Sequence, residues 1–343
     1  MLVILSSRAT EDQRRGVLEA IGTAGCSARE IEMGARRVIA VVGDVERLRD
    51  VPLKVWPGVE RVVSVSEPYA LAGLEFQREP TVVKVGDVAI GGGGFTIIGG
   101  PCAVEDLESL RGTALAVRDA GANMLRAGAY KPRTNPYSFR GLGVEGLWML
   151  REVSLETGLP TVSEVCDPRH VEACVGSVDM LQIGTRNMSN FDLLVEVGLS
   201  GHPVLLKRGR AATIADWLLA AEYILAKGNG NVVLCERGVR GFDPATRNLL
   251  DLSAVPAVRA RSHLPVLVDP SHATGHAAYV PSMARAACAA GADGVMVEVH
   301  VRPEQARSDA EQALRPAEFR DLCEDLRLLS KVCAPTFARR DED

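Results

Sequence analysis

Four residues far apart in the chain, Cys102, His272, Glu298 and Asp309, supply one thiol, one imidazole and two carboxylates. A mixed donor set of this kind suits a divalent transition metal. A second group is cationic: Arg126, Lys131, Arg133, Arg186, Lys207 and Arg237. Arginine gives bidentate contacts to phosphate or carboxylate, and lysine adds a point charge. Cations gathered at one mouth therefore point to substrates carrying several phosphate or carboxylate charges. Each residue alone has a plainer reading. A lone Cys or His is more often structural, and a single Arg or Lys more often sits in an outward salt bridge. The chemistry depends on whether the chain brings the two groups together.

From Phe95 onward the sequence alternates strictly between strand and helix patterns. Strands are predicted at 95–100, 124–130, 160–165, 180–185, 203–209, 232–238, 265–271 and 294–300. Amphipathic stretches lie between them at 107–120, 144–157, 213–227 and 279–290, with a last helix over about 316–332. Eight continuously apolar strands in about 250 residues predict an α/β fold, a (β/α)8 TIM barrel whose parallel strands are buried on both faces. The rival is a doubly wound open sheet, against which eight regular units without a dinucleotide fingerprint argue. Catalytic groups of such barrels lie at the C-terminal strand ends. Those ends carry Cys102, Arg126 with Lys131-Pro132-Arg133-Thr134, Glu164, Gln182 with Arg186, Lys207, Glu236-Arg237, Asp269 with His272, and Glu298 with His300. Asp309 follows in the loop beyond. Strands one, seven and eight become neighbours only if the barrel closes, so the metal reading rests on closure.

The first seventy residues read differently. An apolar strand at 2–5, a helix capped by Thr10, strands at 28–33 and 37–42 around a Gly34 turn, a short polar helix at 45–50 and a strand at 59–65 give βαββαβ. That order predicts a small ferredoxin-like α+β domain, a module that binds or regulates more often than it catalyses. A hairpin is predicted over 81–90 around Gly86-Asp87. The glycines of 91–94 precede no helix N-terminus, so they read as an approach to the next strand and not as a phosphate loop. The expected division is a regulatory domain at 1–70, a linker and hairpin at 71–94, and a catalytic barrel at 95–343.

Composition narrows the class. A chain that is 47% hydrophobic builds a packed core and is not disordered. No apolar run approaches the ~20 residues needed to span a bilayer, and the N-terminus lacks the charge order of a secretory signal. The net charge of −5 argues against nucleic acid or an anionic membrane as partner. Without a secretory signal the eight cysteines read as reduced thiols in a cytoplasmic protein.

These segments resemble a known family. GPCAVED, LRAGAYKPRTNPYSFRGLG, SEVCD, QIGTRNMSNFDLL, PVLLKRG, LCERG, LVDPSHATG and VMVEVHVRPEQARSDAEQAL are similar to motifs of 3-deoxy-D-arabino-heptulosonate 7-phosphate (DAHP) synthases. The N-terminal unit resembles the regulatory extension of that family's type I beta branch. The resemblance implies condensation of phosphoenolpyruvate with erythrose 4-phosphate, releasing phosphate, as the first step of the shikimate pathway. It implies that Arg126, Lys131, Arg186, Lys207 and Arg237 hold phosphoenolpyruvate. Lys131, Pro132, Arg133 and Thr134 would line the erythrose 4-phosphate channel, with Lys131 as proton donor. Cys102, His272, Glu298 and Asp309 match the family's metal ligands, with Mn²⁺ first and Co²⁺, Zn²⁺ or Fe²⁺ as alternatives; Glu164 and Asp269 fall at supporting polar positions. A Tyr or Phe effector, a homotetramer and a chorismate mutase partner are implied by family analogy alone. Asn135 stands where Ser or Thr commonly follows KPRT. Two rival readings are the sister 3-deoxy-D-manno-octulosonate 8-phosphate synthase, against which KPRT at 131–134 argues, and a catalytically dead regulatory binding protein.

Overall fold

The structure, a computed structural model, describes residues 1–34 and 36–333. Residues 334–343 of the expected barrel lie outside the described residues. The N-terminal unit is a four-stranded antiparallel sheet in the order β2-β3-β1-β4. Its strands are β1 (Leu2–Leu5), β2 (Ser27–Met33), β3 (Arg36–Val42) and β4 (Val59–Val63), and one helix, α1 (Glu11–Thr23), packs on it. Thr10 and Gln13 close a capping box at the start of α1, which satisfies amides that the helix itself cannot. The second helix expected at 45–50 is instead a pair of 3₁₀ turns, Val45–Leu48 and Leu53–Val55. Only Leu48 and Leu53 are buried there, and Pro52 between them lacks the amide that a continuous helix needs.

Strands β5 (Val83–Val85) and β6 (Val88–Ile90) form the expected hairpin. It closes the bottom of the barrel. Val83, Val85 and Ile90 pack into one apolar cluster with inward side chains of the barrel strands, among them Ile98, Met124, Leu205 and Met296. Gly91, Gly92 and Gly93 make the turn onward with positive φ.

Eight parallel strands then close on themselves: β7 (Thr96–Gly100), β8 (Met124–Arg126), β9 (Thr161–Val165), β10 (Met180–Ile183), β11 (Val204–Lys207), β12 (Val232–Glu236), β13 (Val266–Val268) and β14 (Gly294–Glu298). Closure is made by β14 pairing with β7, from Gly294 opposite Thr96 to Glu298 opposite Gly100. Outside run α2 (Leu107–Ala120), α3 (Val144–Thr157), α4 (Val171–Val175), α5 (Phe191–Leu199), α6 (Ile214–Leu225), α7 (Ala254–Arg259), α8 (Pro270–Thr274), α9 (Val280–Ala289) and α10 (Pro316–Val332). A second, larger cluster, including Trp217 and Phe319, fills the space between strands and helices.

Several strands stop earlier than their apolar runs. The clearest case is 265–271, where β13 ends at Val268 and α8 begins at Pro270. Asp269 caps that helix by accepting the His272 amide, and Pro270 at its first position is preset for helix. A run that reads as strand in composition therefore turns at Asp269 and carries His272 on a helical turn.

Candidate metal and anion site

Each donor sits where closure of the barrel brings it to the C-terminal mouth. Gly100 ends β7 at φ +145, and a Cβ there would lie 2.1 Å from the Arg126 carbonyl oxygen. Only glycine lets β7 and β8 approach this closely, and Cys102 follows two residues later. Glu298 is the last residue of β14. Asp309 starts a 3₁₀ turn in the loop beyond with φ 53 and is the one non-glycine residue with positive φ among the described residues. Strained backbone held at a polar cluster marks a functional position.

One ligand atom from each of Cys102, His272, Glu298 and Asp309 lies within 4.8 Å of every other. Cys102 Sγ is 3.1 Å from Asp309 Oδ2, and His272 Nε2 is 3.2 Å from Glu298 Oε1. His272 Nδ1 meets Asp269 Oδ2 at 2.7 Å, which turns Nε2 toward the cluster. Burial and the Glu298 charge push the Cys102 thiol up to about 12, with Lys131 pulling the other way. Burial works to raise the Asp309 carboxyl, but His272, Arg247 and Lys131 outweigh it and hold it well below the usual range. A soft thiol, an oriented imidazole and two carboxylates converge on one small space. This donor set fits a divalent transition metal.

The cations fall into two layers. In the inner layer Arg126 pairs with Glu298, and Lys207 pairs with Asp269. Lys131 Nζ donates to Cys102 Sγ at 2.9 Å and to the Cys102 carbonyl at 3.0 Å. Two of the six cations are thus neutralised inside the barrel by the site's own carboxylates. Arg237 is different. Its Nη1 is buried without a hydrogen-bond partner, and burial, with Arg247 and Arg210 nearby, lowers its affinity for its proton despite Asp269. In the outer layer Arg133 Nη1 donates to Ser308 Oγ at 2.9 Å, and exposed Arg186 reaches Thr134 Oγ1 at 3.5 Å. Pro132 lies half-buried between the layers. Glu164 is buried and accepts from Gln182 Nε2 at 3.4 Å; a Cβ on Gly184 would collide with it.

His300, also at a strand end, points elsewhere and meets Ser109 and Glu105. Other polar groups were not singled out by position. Ser308 bridges Arg133 and Cys102 Sγ, the latter at 3.3 Å. Arg208 pairs with buried Glu236 and with Asp251. Arg247 and Gln312 reach the two metal-site carboxylates. The only sequence signal for Gln312 is its spacing three residues after Asp309.

Comparison with known proteins follows the same division. A family model described as "DAHP synthetase I family" matches residues 72–332, and one described as "DAHP synthase ferredoxin-like domain" matches 1–67. The phospho-2-dehydro-3-deoxyheptonate aldolase of Thermotoga maritima is 45% identical over 330 residues, covering 96% of this chain and 98% of the relative. A 2-dehydro-3-deoxyphosphooctonate aldolase from Syntrophobacter fumaroxidans is 31% identical over 273 residues, covering 74% and 93%. A crystal structure of the Thermotoga maritima enzyme aligns with TM-score 0.77 at 43% identity, covering 97% of this chain and 98% of that one. A truncated form of DAHP synthase from the same organism aligns with TM-score 0.73 at 45% identity over 78% of this chain and 98% of that one.

Proposed function

The chain belongs to the DAHP synthetase I family, and we propose that its barrel condenses phosphoenolpyruvate with D-erythrose 4-phosphate on a divalent metal held by Cys102, His272, Glu298 and Asp309. Water adds to the former enol carbon as phosphate leaves, so the products are DAHP and inorganic phosphate, and the enzyme is a metal-dependent transferase of the shikimate pathway. The observation that carries the metal reading is the convergence of four ligand atoms within 4.8 Å. Mn²⁺ is the first choice of ion, with Co²⁺, Zn²⁺ or Fe²⁺ able to use the same donors.

When bound, the ion supplies Lewis acidity toward the aldehyde oxygen. The chain's own groups bind, orient and move protons. Arg237, with a buried unpartnered donor, and Arg186 bind the phosphate of phosphoenolpyruvate. Arg126 and Lys207 serve its phosphate and carboxylate end, leaving part of their hold on Glu298 and Asp269 for it. Arg133 and Thr134 bind the aldose phosphate, and Pro132 walls the channel between the two substrates. Fixing both anions in register supplies much of the rate by removing translational freedom. Lys131 keeps its proton, since Cys102 and the carboxylates of Glu164 and Glu298 outweigh its burial. It is placed to donate that proton to the alkoxide oxygen formed as the new carbon–carbon bond closes.

Among the described residues no helix is long and apolar enough to cross a membrane; the cytoplasm is the location proposed with the shikimate-pathway reading. Residues 1–70 are assigned to regulation, 71–94 to the joint and 95 onward to catalysis, with Tyr or Phe as effector and a homotetramer as the assembly. Two assays test the catalytic reading. Chelation should abolish phosphate release from phosphoenolpyruvate plus erythrose 4-phosphate, and Mn²⁺ should restore it. Arabinose 5-phosphate should be a poor substitute for the aldose. Full activity after EDTA, or preference for the pentose phosphate, overturns the corresponding half.

A further inference from the structure

Each metal-site carboxylate turns one oxygen toward the cluster and one away. The inward oxygens are Asp309 Oδ2, beside Cys102 Sγ, and Glu298 Oε1, beside His272 Nε2. The outward oxygens are joined to each other by a hydrogen-bonded chain. Arg247 Nη1 donates to Asp309 Oδ1 at 3.1 Å and to Gln312 Oε1 at 3.0 Å. Gln312 Nε2 then donates to Glu298 Oε2 at 2.7 Å. The chain has a fixed polarity. Guanidinium only donates and a carboxylate only accepts, so the Gln312 amide between them has a single orientation that satisfies both.

We propose that Arg247 and Gln312 are positioning residues for the metal, holding the outward oxygens of Asp309 and Glu298 so that the inward ones face the ion. This rests on the metal reading above. Two carboxylates converging on one space repel each other; Arg126 already holds Glu298 at its inward oxygen, and a donor on the far oxygen of each carboxylate fixes the rotation that remains. Gln312 is buried, which makes its bond to Glu298 hard to replace by water. Arg247 is tied down at its backbone as well, its amide donating to the Thr274 carbonyl at 2.9 Å, two residues beyond His272. The loop after β12 thereby anchors both the helix carrying His272 and the loop carrying Asp309. Because that backbone bond survives truncation of the side chain, Arg247→Ala removes the link to the carboxylates while leaving the loop anchored.

The test is titration of chelator-stripped full-length protein with Co²⁺ alone, reading affinity and the thiolate-to-cobalt absorption band. Wild type should bind with that band, and Cys102→Ala should lose it. Arg247→Ala and Gln312→Leu should each weaken Co²⁺ binding by about 10–100-fold and shift the band. Arg247→Lys, which retains one donor, should recover part of the loss. The double variant should be little weaker than the worse single one, because both act through one chain. Wild-type affinity and an unshifted band in both single variants overturn the proposal. A wild type that takes up no Co²⁺, or a Cys102→Ala that takes it up normally, overturns the metal reading itself. Circular dichroism checks folding; should Gln312→Leu not fold, the Arg247 pair decides alone, since that side chain is 40% exposed.

Discussion

Lys131 can be separated from the metal that it sits beside. Its Nζ donates to Cys102, yet it contributes no ligand atom to the cluster. Lys131→Met should therefore leave Co²⁺ uptake in place while lowering kcat by about 10²–10⁴-fold, the usual yield of a positioned proton donor. Steady-state kinetics beside metal titration checks this, and equal loss of metal and rate would show a structural role instead. The same contrast explains which residues could be read from sequence. Cys102, Lys131, His272 and Glu298 were legible because strand ends in a barrel are active-site positions, and their types did not suit a random rim. Arg247 and Gln312 were not, because they act through the far oxygens of other side chains, from irregular segments with no period to place them. The pairing of Arg126 with Glu298 and of Lys207 with Asp269 is not legible in the sequence, because the partners lie at strand ends distant in the chain.

At the scale of elements, the segment from Tyr69 to Thr81 behaves as a strap and not as a loose linker. Tyr69, Leu71 and Phe76 are buried. The Glu222 carboxylate on α6 accepts the amides of Leu71 and Ala72 at 2.8 and 2.9 Å. His263 Nε2 meets the Leu71 carbonyl and Nδ1 meets the Thr81 hydroxyl, both at 2.7 Å, so the neutral ring satisfies both contacts by donating to the first and accepting from the second. Burial lowers the His263 pKa below 6.5, with the Leu71 bond opposing and the Arg36 charge assisting. The unfolded chain therefore binds the proton first. Stability from this group is complete above about 6.5 and falls as pH drops toward the folded pKa, by at most about 1.4 kcal/mol per pH unit. Glu222 has the opposite sign. Burial raises its pKa above 4.5 against the backbone bonds, so it costs stability as pH rises through that range. Melting temperature from pH 7 to 5 should fall more steeply in wild type than in His263→Gln, and equal slopes would remove His263 as the cause. Nothing in the sequence announced this strap, since its apolar residues follow neither period. The barrel strands were legible for the opposite reason: burial on both faces leaves an unbroken apolar run.

The whole molecule has a formal charge of −5, while Arg126 and Lys207 end barrel strands and Lys131, Arg133, Arg186 and Arg237 follow strands in the segments beyond. Bulk charge thus describes the outer surface and says little about the substrates. The N-terminal sheet is not a separate body hung on that surface. Leu2, Ile4, Ile31, Val38 and Val63 share one apolar cluster with the strap residues Tyr69, Leu71 and Phe76 and with the outer layer of the barrel. The fit is close at Gly228, after α6, where a Cβ would lie 2.3 Å from the Glu32 carbonyl oxygen. The sheet, the strap and the base of α6 are therefore packed in series, and the strap continues into the hairpin that seals the barrel from below. Within one chain, an amino acid bound at the sheet acts on the mouth indirectly, through this packing, because the sheet contributes no residue to the metal cluster. Full-length protein should accordingly change its rate or melting temperature with millimolar Tyr or Phe. A chain beginning at residue 68 should keep the condensation, lose that response and melt lower, since Tyr69, Leu71 and Phe76 would lose their cover. Retention of the response in the shortened chain would place the effector on the barrel. No response in either form would leave the sheet with a purely structural part in covering the strap.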